Sequence, residues 1–184
     1  MTGEPLVLAS ASPRRAAILE QLGIAFEAVP AGVAEIEDAD PRAAARENAR
    51  RKARAVGAGH CGRTVLGADT VVDLDGRILP KPDGPGQAAD WLRALSGRTH
   101  RVLGGLCLIG PDGEREALDA TSVTFRELSE GDVAAYVETG EWEGKAGGYA
   151  IQGRGAALVR AIQGDYFTVV GLPVAALLDL LRSP

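Results

Sequence analysis

An apolar run from Thr64 to Leu74, TVLGADTVVDL, broken by one carboxylate and followed by Asp75-Gly76, constrains this chain more than any other stretch. β-branched and aliphatic residues fill it, and Asp-Gly is a hairpin-turn signal, so the run reads as a strand. Strand alternation sets Val65, Gly67, Asp69, Val71 and Asp73 on one face and Leu66, Ala68, Thr70, Val72 and Leu74 on the other. Asp69 is therefore a carboxylate embedded in an apolar strand. Buried without a partner it is costly, so it needs a cation, a metal or several donors; on an edge strand it would simply face water. The small residues Gly67 and Ala68 before it would let a ligand approach the backbone closely, which favours a site.

A second stretch carries the complementary charge. Leu6 to Ala9 reads as a buried strand, Ser10 to Ser12 turn the chain, and Ser12-Pro13 is a helix-opening pair in which the serine caps and the proline lacks an N–H to leave unpaired. Ile18, Leu19 and Leu22 give that helix an inward face, and Gly23 stops it. Arg14 and Arg15 fall in its first turn, where cations cost roughly 0.3–1 kcal/mol each against the helix dipole. Two solvated arginines could carry that cost. An anion held by the backbone donors and both guanidiniums would remove it.

The remaining elements follow from similar signals. Phe26 to Val29 is a short strand ending at Pro30, and the acidic segment after it holds Glu35, Glu37, Asp38 and Asp40. Asp40-Pro41 opens a helix to about Val56 that is rich in Ala, Arg and Lys and includes Lys52. Lys81-Pro82 follows the short run Ile78-Leu79, and proline biases Lys81 to an extended backbone. A helix over Gly86 to Leu95 turns Trp91, Leu92 and Leu95 inward. A hairpin then pairs Arg101–Ile109 with Arg115–Leu128, and Ser129 caps a helix to about Glu138. A glycine-rich segment carries Lys145, Tyr149 and Gln152. Two short strands near Ala157–Ile162 and Tyr166–Val170 precede a final helix, Pro173 to Arg182, whose Val174, Leu177, Leu178 and Leu181 form a core stripe. This alternation predicts an α/β chain around an elongated mixed sheet.

With 184 residues, the chain fits a single domain over 1–184, or at most two small lobes. The net charge of −5 argues against a nucleic-acid binder, so an anionic ligand must meet a local cation cluster or a metal. Cys61 and Cys107 stand apart with no CxxC partner, which indicates neither a disulfide framework nor a zinc site. The absence of a signal-like start and of any run near the roughly 20 apolar residues of a membrane span makes a soluble cytoplasmic protein the default expectation. His60 and His100 fit no HExxH site or catalytic triad, there is no Walker A loop, and Gly153-Arg154-Gly155 lacks the third glycine of a dinucleotide fingerprint. Carboxylates, isolated cations and glycine-rich turns remain, an inventory that suits metal-assisted chemistry on a phosphate.

Taken in order, LASASPRR, GADT, Lys81-Pro82, LSGRTH, VTFR, KAGGYAIQG and VVGLP resemble the Maf proteins over nearly the whole chain. That resemblance implies an α/β sheet with a central cleft, similar to the inosine-triphosphatase family. It implies a nucleoside triphosphate pyrophosphatase releasing a monophosphate and pyrophosphate with a divalent cation, Mg²⁺ or Mn²⁺. By the resemblance Asp69 is the catalytic acid, described as a proton acceptor, and Ser10, Arg14 and Arg15 belong to the phosphate-contacting loop and helix start. Glu35, Lys52 and Lys81 are further polar residues of the cleft, with Asp69 and Glu35 as metal ligands. Arg14, Thr70 and Gln152 mark the members that act on dTTP and UTP, or on modified pyrimidine nucleotides, rather than on 7-methyl-GTP. The chain departs from the family pattern at Gly144, where an acid is usual, and at Gly148 and Ala150, where Ala and Gly are exchanged. A small-molecule triphosphate is the expected partner, with neither nucleic acid nor membrane, and a homodimer fits the family habit. Two other readings stand beside this one: a purine-type, inosine-like triphosphate pyrophosphatase, and a nucleotide-sensing regulator of septum formation that needs no catalysis.

Overall fold

A computed structural model describes residues 4–182. Its centre is a seven-stranded mixed sheet in the order β2-β1-β3-β5-β6-β7, with β4 paired to β3. The strands are β1 (Leu6–Leu8), β2 (Phe26–Ala28), β3 (Val65–Leu74), β4 (Arg77–Leu79), β5 (Thr99–Gly110), β6 (Gly113–Phe125) and β7 (Val159–Gln163). Parallel pairing joins β1 to β2 and β3, while β3, β5, β6 and β7 form an antiparallel run. The helices are α1 (Pro13–Gln21), α2 (Pro41–Gly57), α3 (Pro85–Leu95), α4 (Glu130–Val137), α5 (Tyr166–Val170) and α6 (Val174–Arg182).

Both faces of β3 are covered, and by different means. Leu66, Ala68, Val72 and Leu74 join the main core with Ile18 and Leu19 of α1, Trp91, Leu92 and Leu95 of α3, and Leu177 and Leu180 of α6. On the other face lies α2. A Cβ at Gly67 would drive into the Ala49 carbonyl and Ala53, and one at Gly105, which pairs with Asp69 across the sheet, into the Ala45 carbonyl. Gly67 thus admits a helix, not the ligand that its place beside Asp69 suggested. The helix needs the bare backbone there because its own alanines leave its peptide groups forward.

Pairing along β3 is interrupted. β1 takes Val65 and Leu66, with Ala9 N donating to Leu66 O at 2.8 Å, and β4 takes Val72 to Leu74. Between them the edge of residues 67–71 is left without a partner strand on that side, although β5 covers the other side throughout. Asp69 and Thr70 sit in this gap, one on each face.

Several local expectations change. Ser12 occupies the N-cap of α1 but makes no side-chain cap bond; its N–H donates instead to Ser10 Oγ at 3.2 Å. Leu22 is 36% exposed rather than inward, because the helix has ended: Gly23, at φ 67°, closes it by returning its N–H to Glu20 O while Ile24 N reaches Leu19 O. Tyr166–Val170 is a helical turn and not a strand. Its β-branched residues suit either state, and Asp165 decides by accepting from Phe167 N at 2.8 Å. β6 stops at Phe125, and in α6 Leu180 takes the buried place expected of Leu178.

Candidate active site

The gap in β3 opens into a cleft of about 510 Å³, and all nine residues singled out from the sequence line it: Ser10, Arg14, Arg15, Glu35, Lys52, Asp69, Thr70, Lys81 and Gln152. They come from the β1–α1 turn, the first turn of α1, the acidic segment before α2, α2 itself, β3, the chain after β4, and the glycine-rich segment after α4. No periodicity within one element could have joined them.

At one part of the cleft, acids and lysines alternate. Asp69 is 3% exposed. Its Oδ1 accepts from Lys52 Nζ at 2.5 Å and its Oδ2 from Asn48 Nδ2 at 3.0 Å. Lys52 also donates to Glu35 Oε1 at 2.7 Å, and Lys81 to Glu35 Oε2 at 2.5 Å. Burial of Glu35 would push its carboxyl up, but the two ammoniums outweigh it and hold it down at about 2. Asn48 and Lys52 are four residues apart, hence on one face of α2, and the close approach at Gly67 brings that face onto Asp69. Asn48 also anchors a loop. Its amide accepts from Ile36 N at 2.8 Å and donates to Ile36 O at 3.2 Å, fixing the segment that carries Glu35. Sequence reading passes over Asn48, although a signal exists: it falls on the inward stripe of Ala44, Ala45, Ala49, Lys52 and Ala53.

The cations at the start of α1 differ from one another. Arg15, 8% exposed, donates from Nε to Gly171 O at 2.9 Å, from Nη1 to Ser10 Oγ at 2.9 Å and from Nη2 to Thr70 Oγ1 at 3.2 Å. Three of its five N–H groups thus tie the β1–α1 turn to β3 and to the end of α5, which leaves two for a ligand. Arg14 spends only Nε, on Val170 O at 3.2 Å. The open first turn of α1 adds its unbonded backbone N–H groups. The Gln152 side chain makes no hydrogen bond among the described residues and lines the cleft with its amide free.

The loop holding Gln152 is fixed from behind. Glu141 accepts from Arg154 N at 2.9 Å and Gly155 N at 3.2 Å, Tyr136 Oη accepts from Ala150 N at 3.0 Å, and buried His100 Nε2 meets Tyr149 Oη at 2.7 Å. None of these supports is readable from sequence. They are long-range contacts with no local signature.

For a divalent cation, the donor set fits. Asp69 and Glu35 offer hard carboxylate oxygens bridged by one ammonium in a single cleft, and Mg²⁺ or Mn²⁺ commonly takes one or two carboxylates and completes its shell with water and substrate phosphate. The one group of three clustered metal-ligating side chains among the described residues, Cys107, Glu114 and Glu116, lies outside the cleft.

Fold and site together define an α/β protein whose sheet opens, at an unpaired stretch of strand edge, into a cleft of facing carboxylates and cations. Residues 5–184 match the family model described as Maf-like protein, and the chain belongs to that family. Among curated proteins it is 47% identical over 183 residues to the dTTP/UTP pyrophosphatase of Deinococcus radiodurans, covering 99% of this chain and 94% of that one. It is 51% identical over 181 residues to the protein of the same name from Nitratidesulfovibrio vulgaris, covering 96% of this chain and 86% of that one. A third, from Moorella thermoacetica, is 50% identical over 182 residues, covering 96% and 93%. Among solved structures, the Ham1 protein of Staphylococcus aureus overlaps 66% of this chain and 72% of its own at a TM-score of 0.47 and 15% identity, too distant to bear on the site.

Proposed function

We propose that this chain, as one domain with two lobes about the cleft, hydrolyses dTTP and UTP, and related modified pyrimidine triphosphates, to the monophosphate and pyrophosphate. The convergence of all nine residues on one cleft is the observation that supports this most, beside relatives of about half identity that carry that activity in their names.

Water attacks the α-phosphorus, the bond to the bridging oxygen breaks, and pyrophosphate departs with that oxygen. Asp69 takes the proton from the attacking water. Lys52 and Asn48 hold its two oxygens, so that the carboxylate cannot turn away. Arg15 and Ser10 form a rigid floor beneath the phosphates, and Lys81, at the rim, reaches them without leaving Glu35. A divalent cation on Asp69 and Glu35 would offset the charge gathering on the leaving group. Thr70 and Gln152 read the base; the free amide of Gln152 offers a donor and an acceptor, the pattern of a pyrimidine edge.

The test is to incubate the protein with dTTP, UTP, CTP, inosine triphosphate and 7-methyl-GTP, each with Mg²⁺ or Mn²⁺, and identify the products. Pyrophosphate and monophosphate from dTTP and UTP are expected. Orthophosphate and diphosphate, or preference for a purine, would overturn the assignment.

A further inference from the structure

Charge balance in the cleft singles out a residue that the family resemblance does not assign. Lys52 and Lys81 are matched by Asp69 and Glu35, so that cluster is neutral as it stands. Arg15 has committed three donors to Ser10, Thr70 and Gly171. Three cations lining the cleft have no carboxylate at ion-pair distance among the described residues: Arg14, Arg15 and Lys145; of these, Arg14 and Lys145 each spend only one donor on the protein. Lys145 is half-buried on the glycine-rich segment after α4, and its Nζ donates to Glu143 O at 2.9 Å, which spends one of its three donors. Nearby acids do not neutralise it. Glu141 is turned to the backbone of Arg154 and Gly155, and Glu143 is exposed. Burial and then the Arg14 guanidinium lower the pKa of Lys145, against a smaller opposing pull from Glu141 and Glu143. Three like charges are thus held in one cleft without a carboxylate at ion-pair distance, an arrangement that an anion would relieve.

We propose that Lys145 contacts the substrate directly, joining Arg14 to grip the triphosphate from the glycine-rich wall of the cleft. The inference rests on the reading of the cleft as a triphosphate site, and it adds a binding residue to it. Lys145 carries binding, not proton transfer, so its removal raises KM and spares kcat.

The probe is inorganic tripolyphosphate, whose binding needs no turnover, titrated by calorimetry into the wild type, Lys145→Gln, Lys145→Arg and Arg42→Gln. Arg42 is exposed on α2 outside the cleft, so its loss controls for net charge. Lys145→Gln is expected to weaken tripolyphosphate about tenfold, as loss of one charged hydrogen bond would, with a similar rise in KM for dTTP. Lys145→Arg retains affinity, and Arg42→Gln changes it little. Undiminished affinity in Lys145→Gln, an equal loss in Arg42→Gln, or a wild type that ignores tripolyphosphate would overturn the proposal. A wild type that binds tripolyphosphate through Lys145 yet hydrolyses no triphosphate would retain the inference and remove the enzymatic reading instead.

Discussion

At the scale of single residues, Lys52 decides the chemistry of the cleft. Its ammonium bridges Asp69 and Glu35, two acids that would otherwise face one another in a poorly solvated pocket. Asp69→Asn keeps the shape and the Asn48 side of the contact but cannot take a proton. Its turnover is expected to fall by about 10²–10⁴, with KM for dTTP little altered, in steady-state assays. His100 supplies a residue-scale pH prediction. Burial pushes its pKa down to about 4 from an ordinary 6.5, and its Nδ1 has no partner among the described residues. The unfolded chain therefore binds the extra proton first, and folding stability is lost as pH falls from 6.5 toward 4. The loss reaches about 3 kcal/mol at full displacement. Urea unfolding at about pH 7 and again near the lowered pKa measures it, and the difference should shrink in His100→Gln.

At the scale of elements, the docking of α2 on β3 and β5 builds the site. Asn48 and Lys52 reach Asp69 only because Gly67 and Gly105 let the helix backbone lie against the strands. Gly67→Ala and Gly105→Ala are each expected to destabilise by about 1–3 kcal/mol, or to displace the helix, since the obstructing atoms are backbone carbonyls that cannot rotate aside. Gly67→Ala should also lower turnover beyond its effect on stability, assayed on the folded fraction, because it separates Lys52 from Asp69. Much at this scale is legible in the sequence. Asp40-Pro41 starts α2 as read, with Asp40 accepting from Ala43 N, and Ser129 forms a full capping box with Asp132. Tyr166–Val170 reads wrongly as a strand because so short a segment holds too little periodicity to separate helix from strand, and the Asp165 cap just before it, accepting from Phe167 N, settles it.

For the whole molecule, the net charge of −5 is misleading about the ligand. Five cations gather in one cleft, three with few or no carboxylates to oppose them, and most of the acidic surplus lies elsewhere. Chelation of divalent ions should abolish turnover, and added Mg²⁺ or Mn²⁺ should restore it, read as pyrophosphate release; full activity in chelator would remove the role given to Asp69 and Glu35. Caps, strand alternation, the carboxylate in an apolar strand and the arginines in a first turn are local physics, written in neighbouring residues, and they determined the elements and most of the chemistry. Only the tertiary structure decided which partner Asp69 has, why Gly67 is bare, and where the cleft lies. Those depend on the order of strands and the unpaired edge left between β1 and β4. Pairings of that kind join residues tens of positions apart, and no local period encodes them.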